Sequence, residues 1–101
     1  MRVKSGTTIR GLNPEMQIAN AKASVIYRQH NQELWITAGV DPTGHSDTSF
    51  HPKGDACDWR TRYFKDQAEK IAVRDELQEE LGYDYDVVLE SDHIHCVFDP
   101  K

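Results

Sequence analysis

The feature that most constrains this chain is a set of metal-ligand side chains split between two short stretches. One is Ser49-Phe50-His51-Pro52-Lys53-Gly54-Asp55-Ala56-Cys57-Asp58 and the other is Glu90-Ser91-Asp92-His93-Ile94-His95. In the first, an imidazole and a carboxylate stand seven positions apart with Gly54 between them. The glycine marks a turn, and Asp55-Ala56-Cys57-Asp58 suits a strand that aims Ala56 and Asp58 at one face. In the second, two histidines two apart project from the same face of a strand. Three protein ligands drawn from nitrogen and oxygen donors, with a fourth position left to water, is the arrangement of a catalytic rather than a structural zinc. Any fold of this chain therefore has to bring the two stretches together.

Length and charge bound the rest. A chain of 101 residues makes one domain, 1–101, with a single core and no room for a separate specificity domain. Its net charge of -5 argues against nucleic acid as a partner, and no basic run in the sequence offsets it. Apolar runs are too short to span a membrane, and no apolar signal segment opens the chain, so the sequence reads as soluble with its export unexplained. Cys57 and Cys96 each neighbour a proposed ligand. On strands they point away from the metal, which predicts two reduced thiols in the core rather than a disulfide framework.

In chain order, 1–8 is polar and reads as an edge strand or a loose arm. Asn13 and Pro14 open a helix to about residue 29, with Leu12, Met16, Ala19, Ala23 and Ile26 as its apolar stripe. His30 at its C-terminal end reads as structural, since a partly charged imidazole is favoured at the negative end of the helix dipole. Residues 33–40 are rich in strand formers and 41–50 in turn formers, which makes a central strand and a loop that carries His45. A second helix spans about 65–81, with Phe64, Ala68, Ile71, Ala72, Leu77 and Leu81 inward, its many charges outward and Gly82 as C-cap. Strands at 87–89 and 93–98 flank a bend at 90–92. The elements predict an α+β domain: a small, mostly antiparallel sheet with two main helices on one face and the zinc on the other.

The two motifs in this order, SxHxxGxAxD and then HxH, resemble those of the zinc D-alanyl-D-alanine peptidases, the lysostaphin-type endopeptidases and the hedgehog signalling domain, which share one metal-site fold. The local likeness is greatest to hedgehog: Trp35-Ile36-Thr37-Ala38-Gly39-Val40-Asp41, then Gly44-His45, the stretch from Ser49 to Asp58, and Glu90-Ser91 ahead of His93-Ile94-His95-Cys96. What the resemblance implies is zinc held by His51, Asp58 and His95, because the second histidine of the pair is the family's ligand. His93 then lies beside the site, where it can hydrogen-bond the attacking water or the developing oxyanion. His45 stands where hedgehog-like sequences place a histidine bordering the metal.

A carboxylate is needed to take the proton of the attacking water and pass it to the leaving amine. Two residues compete. Glu90 resembles the hedgehog Glu-Ser that precedes HxH, although one residue is missing between them here. Asp92 lies three before the metal histidine, where the D-alanyl-D-alanine peptidases carry their catalytic glutamate. Those enzymes also carry an arginine about where Val40 and Asp41 stand, so an endopeptidase is expected over a carboxypeptidase. The resemblance thus implies a zinc metallopeptidase acting on peptidoglycan peptides in cell-wall remodelling or phage lysis; the chain is expected to be a monomer, and its charge and short apolar runs leave neither nucleic acid nor membrane as a partner. Its alternative is a zinc-stabilised binding module of hedgehog type.

Overall fold

The Asn13-Pro14 start and the apolar stripe produce a helix, α1 (Pro14–Gln29), in the computed structural model, which describes residues 1–40 and 50–101. Every expected stripe residue is buried: Leu12, Met16, Ala19, Ala23 and Ile26. Asn13 is extended, as an N-cap should be, but its side chain makes no capping bond. Its Nδ2 instead donates to the Lys53 carbonyl at 3.2 Å and to Asp55 Oδ1 at 2.5 Å. The backbone N–H of Asn13 donates to the Gly54 carbonyl at 3.0 Å. The entry of α1 is thereby fastened to the turn that follows His51.

The remaining elements are β1 (Arg2–Val3), β2 (Trp35–Ala38), β3 (Ala56–Arg60), α2 (Gln67–Leu81), β4 (Tyr85–Leu89) and β5 (His93–Phe98). The strands form one sheet in the order β1-β2-β3-β5-β4. It is mixed, where a mostly antiparallel sheet was expected: β1 runs parallel to β2, and the other three pairings are antiparallel. The parallel pair follows from connectivity, because α1 lies between β1 and β2 and a helical crossover returns the chain in the same direction. Strand 1–8 is thus a two-residue edge, 33–40 contracts to Trp35–Ala38, and the strand expected at 87–89 begins at Tyr85.

Both helices pack against one face of the sheet. Ile36, Cys57, Trp59, Val87, Ile94 and Cys96 form the sheet's side of that core. Cys57 and Cys96 are buried and not joined in a disulfide, as expected, and are Cα partners across β3 and β5. Within the core, Trp59 Nε1 donates to Asn20 Oδ1 at 2.8 Å, with Asn20 itself buried. A buried indole N–H needs such a partner.

Helix α2 differs from expectation in the face it buries. Val73, Leu77 and Leu81 point inward, a stripe at four-residue spacing, while Ala68, Ile71 and Ala72 are exposed. The stripe is narrow because α2 also seats on β4 through polar groups: Arg74 Nε donates to the Val87 carbonyl at 2.8 Å, and Gln78 Nε2 to the Tyr85 carbonyl at 2.7 Å. Arg74 is therefore not part of the solvated face. At the far end of the helix pair, His30 caps α1 and sits between Glu69 (3.2 Å) and Glu76 (2.7 Å) of α2. Burial would lower the pKa of this imidazole, but the two glutamates raise it above the ordinary 6.5. The stabilisation from this contact is complete below the unfolded value and is lost as pH rises through the raised one. No helix among the described residues is long and apolar enough to cross a membrane.

Gly54 sets the turn that delivers His51. Its φ is +83°, and a Cβ there would stand 2.5 Å from the Gly11 carbonyl oxygen. Gly82 shares the positive φ, at +92°, with no atom within 4 Å of its would-be Cβ. Gly54→Ala should lower the free energy of unfolding by about 1–3 kcal/mol, the cost of a non-glycine residue in that region plus a clash, and Gly82→Ala by less. Urea denaturation of both variants checks this, and equal losses would place the cost in backbone conformation alone.

Candidate metal centre

The pairing of β3 with β5 places Asp58 opposite His95 and Arg60 opposite His93. Cα partners across an antiparallel pair share a face, so these four side chains lie on the sheet face away from the helices. His51 comes to the same place from the turn that Gly54 and Asn13 hold. Its imidazole is buried, with 2% of the residue exposed.

Asp58 stands at the centre of three histidines. Its Oδ1 is 2.7 Å from His95 Nδ1 and 3.4 Å from His51 Nε2, and its Oδ2 is 3.7 Å from His93 Nε2. His51 and His95 face one another with ring centroids 5.0 Å apart. One donor atom from each of His51, Asp58 and His95 falls within a group whose members all lie within 4.8 Å of one another. A tetrahedral centre with ligands near 2.0–2.1 Å separates its donors by roughly 3.4 Å. The His51–Asp58 distance has that value, and the His95–Asp58 distance is that of a hydrogen bond.

The protonation states fit a cation as well. His51 Nδ1 lies 2.8 Å from the Gly39 carbonyl oxygen. A carbonyl can only accept, so Nδ1 carries a proton; Nε2 faces Asp58, donating to it when protonated and giving its lone pair to a cation when that proton is displaced. Burial would raise the pKa of the Asp58 carboxyl, but the hydrogen bonds from His51 and His95 and the nearby charge of His93 hold it well below the ordinary carboxylate range. Two imidazoles and one carboxylate carry a single negative charge, so a divalent cation bound there would retain a net positive charge. The donor set therefore suits a divalent metal ion.

The other residues singled out in the sequence fall as follows. His93 lines the open side of the triad, and its Nδ1 is 2.6 Å from Asp92 Oδ1. That contact lowers the pKa of Asp92, whose side chain is 81% exposed. Glu90 lies just past β4, exposed, with its backbone N–H on the His93 carbonyl at 2.8 Å. Among the described residues its side chain makes no hydrogen bond or ion pair. His45 lies outside the described residues.

Gly39 was legible only as the end of a strand, yet its carbonyl orients His51. It has to be glycine for packing: a Cβ there would collide with the Thr8 carbonyl oxygen, whose partner is the N–H of Val40 at 2.6 Å. Thr37 also escaped the sequence reading. Its Oγ1 lies 3.5 Å from the Asp58 carbonyl oxygen, beside the site. No protein-family model, curated protein or solved structure matches this chain.

Because the ligands come from the turn before β3, from β3 and from β5, metal binding should tie these segments together. The protein should take up about one divalent ion per chain, and chelation should lower the thermal midpoint. His51→Ala should lose the ion and reproduce that drop. Elemental analysis and melting curves with and without chelator check both, and an unchanged curve would contradict the coupling.

Proposed function

We propose that this protein is a zinc-dependent hydrolase of amide bonds in peptidoglycan peptides. The observation that carries the proposal is the convergence of His51 Nε2, an ionised Asp58 and His95 Nδ1 on one point, with His93 and its partner Asp92 alongside. A zinc ion at that point supplies Lewis-acid polarisation of an amide carbonyl and of an attacking water. The substrate class rests on the resemblance of the two motifs to the cell-wall peptidases.

The chain's own groups have distinct tasks in this reading. His51, its tautomer fixed by Gly39, and Asp58 and His95, fixed by strand register, hold the metal in a rigid frame. His93 is placed to move a proton, because Asp92 accepts from Nδ1 and so leaves Nε2 as the basic nitrogen on the side of the triad. A carboxylate behind an imidazole both orients the ring and stabilises its protonated form. Asp92 acts in this scheme through His93, and Glu90 remains the competing carboxylate. The part-exposed position of His93 lets its imidazole exchange its proton with solvent between turnovers.

Purified muropeptides incubated with zinc-loaded protein and followed by mass spectrometry report both turnover and the bond cut. Asp92→Asn and His93→Gln should keep zinc content and fold while turnover drops by roughly a hundredfold, the usual contribution of a positioned acid–base group. Glu90→Gln should change it little. A zinc-loaded wild type that releases no amine from any cell-wall peptide would overturn the hydrolase and leave a zinc-stabilised binding module. Turnover lost in Glu90→Gln and kept in Asp92→Asn would move the base to Glu90.

A further inference from the structure

The sheet face beside the candidate metal centre contains a second feature that the sequence hides. Lys4, Thr37, Arg60, Arg62, Asp92 and His93 line a cavity of about 210 Å³. Three of its six residues are cations, in a chain with 17 acidic residues against 12 Lys and Arg. Asp92, the one acid, is engaged by His93. Among the described residues, Lys4, Arg60 and Arg62 have no carboxylate within ion-pairing distance.

The fold positions these cations rather than leaving them scattered. Arg60 follows Asp58 by two on β3 and so emerges on the same face, opposite His93. Its guanidinium lies 4.8 Å from the centroid of the Trp35 ring, and Arg2 approaches the same ring at 5.8 Å. Stacking on an aromatic face restricts an arginine to few conformations and leaves its N–H edge directed outward. Lys4 is brought in by the parallel pairing of β1 with β2, where its N–H donates to the Ile36 carbonyl at 2.9 Å. A fixed guanidinium with a second arginine and a lysine around a small cavity is the arrangement that recognises a carboxylate. The cavity is smaller than one for a whole ligand, which usually needs several hundred Å³, so it suits a single group of a substrate whose remainder lies across the metal centre.

We propose that Lys4, Arg60 and Arg62 form an anion subsite that binds a carboxylate of the substrate next to the triad, so that the protein selects acidic peptides. This rests on the hydrolase reading for the identity of the peptide, and on the cavity itself for the charge it takes. His93 lines both the cavity and the triad, so a carboxylate held there sets the distance along the peptide between the anionic group and the bond that reaches Asp58 and its neighbours.

The test is calorimetric titration of zinc-loaded protein with a synthetic peptidoglycan stem pentapeptide and with two analogues, one amidated at its C-terminal carboxylate and one at its side-chain carboxylate. The unmodified peptide should bind roughly tenfold or more tighter than one of the analogues, the usual weight of charge-assisted hydrogen bonds, and which analogue loses affinity identifies the carboxylate. The preference should shrink with added salt. It should collapse in Arg60→Gln/Arg62→Gln, and weaken in Lys4→Gln, an exposed edge substitution that leaves both arginines in place. Equal binding of all three peptides, binding of none, or a preference that survives the arginine substitutions overturns the subsite. Mass spectrometry of the same samples decides the hydrolase reading separately. Charge-selective binding without cleavage supports the subsite and sinks the hydrolase, and cleavage without charge preference does the reverse.

Discussion

The register of β3 against β5 is the constraint on which the rest depends. In that pairing Cys57 meets Cys96 and Trp59 meets Ile94 on the core face, while Asp58 meets His95 and Arg60 meets His93 on the open face. A slip of one residue would exchange the faces. It would place Trp59 in water and the Asp58 carboxylate under the helices. Burying a side chain such as Trp59, here fully buried, is worth about 1.5–3 kcal/mol, and an unpaired buried carboxylate costs several more. The hydrophobic core thus enforces the geometry of the polar site on the other face of the sheet.

The open face draws its character from how little of the chain is devoted to it. Two helices and one side of the sheet supply the core, and a single layer of side chains supplies the chemistry. His51 is the exception, because it is buried and oriented by a backbone carbonyl. A ligand fixed in this way loses little freedom when it binds an ion, whereas His95 and His93, with side chains 28% and 29% exposed, face the space where a substrate would lie. The cations of the neighbouring cavity belong to the same layer. A charged group approaching this face meets local positive charge despite the negative charge of the whole.

Much of this was legible in the sequence for definite physical reasons. The stripe from Leu12 to Ile26 follows helical spacing without interruption, and Asp58 and His95 alternate correctly once their segments are read as strands, with His51 delivered by the turn at Gly54. Ile71 misled because hydrophobicity was counted without phase. On α2 the four-residue series Val73, Leu77, Leu81 sets the buried line, and Ile71 lies about 120° around the helix from it. The parallel edge pairing of β1 was not legible, since two residues carry no pattern. Neither was the cation-lined cavity: Lys4 is separated from Arg60 and Arg62 by most of β1–β3 in the chain, so only the fold brings the three together. Likewise the carbonyl of Gly39 has no signature in residue type beyond the close backbone approach that glycine permits.

The central claim is that His51, Asp58 and His95 close on one metal ion, and zinc K-edge X-ray absorption of the zinc-loaded protein tests it most directly. The account predicts a first shell of nitrogen and oxygen alone at roughly 2.0–2.1 Å, with the outer-shell scattering of two imidazoles. The pattern should fall to one imidazole in His95→Ala if that variant keeps any zinc. A shell containing sulfur near roughly 2.3 Å would put the metal on Cys57 and Cys96, on the opposite face of the sheet, and would contradict the account.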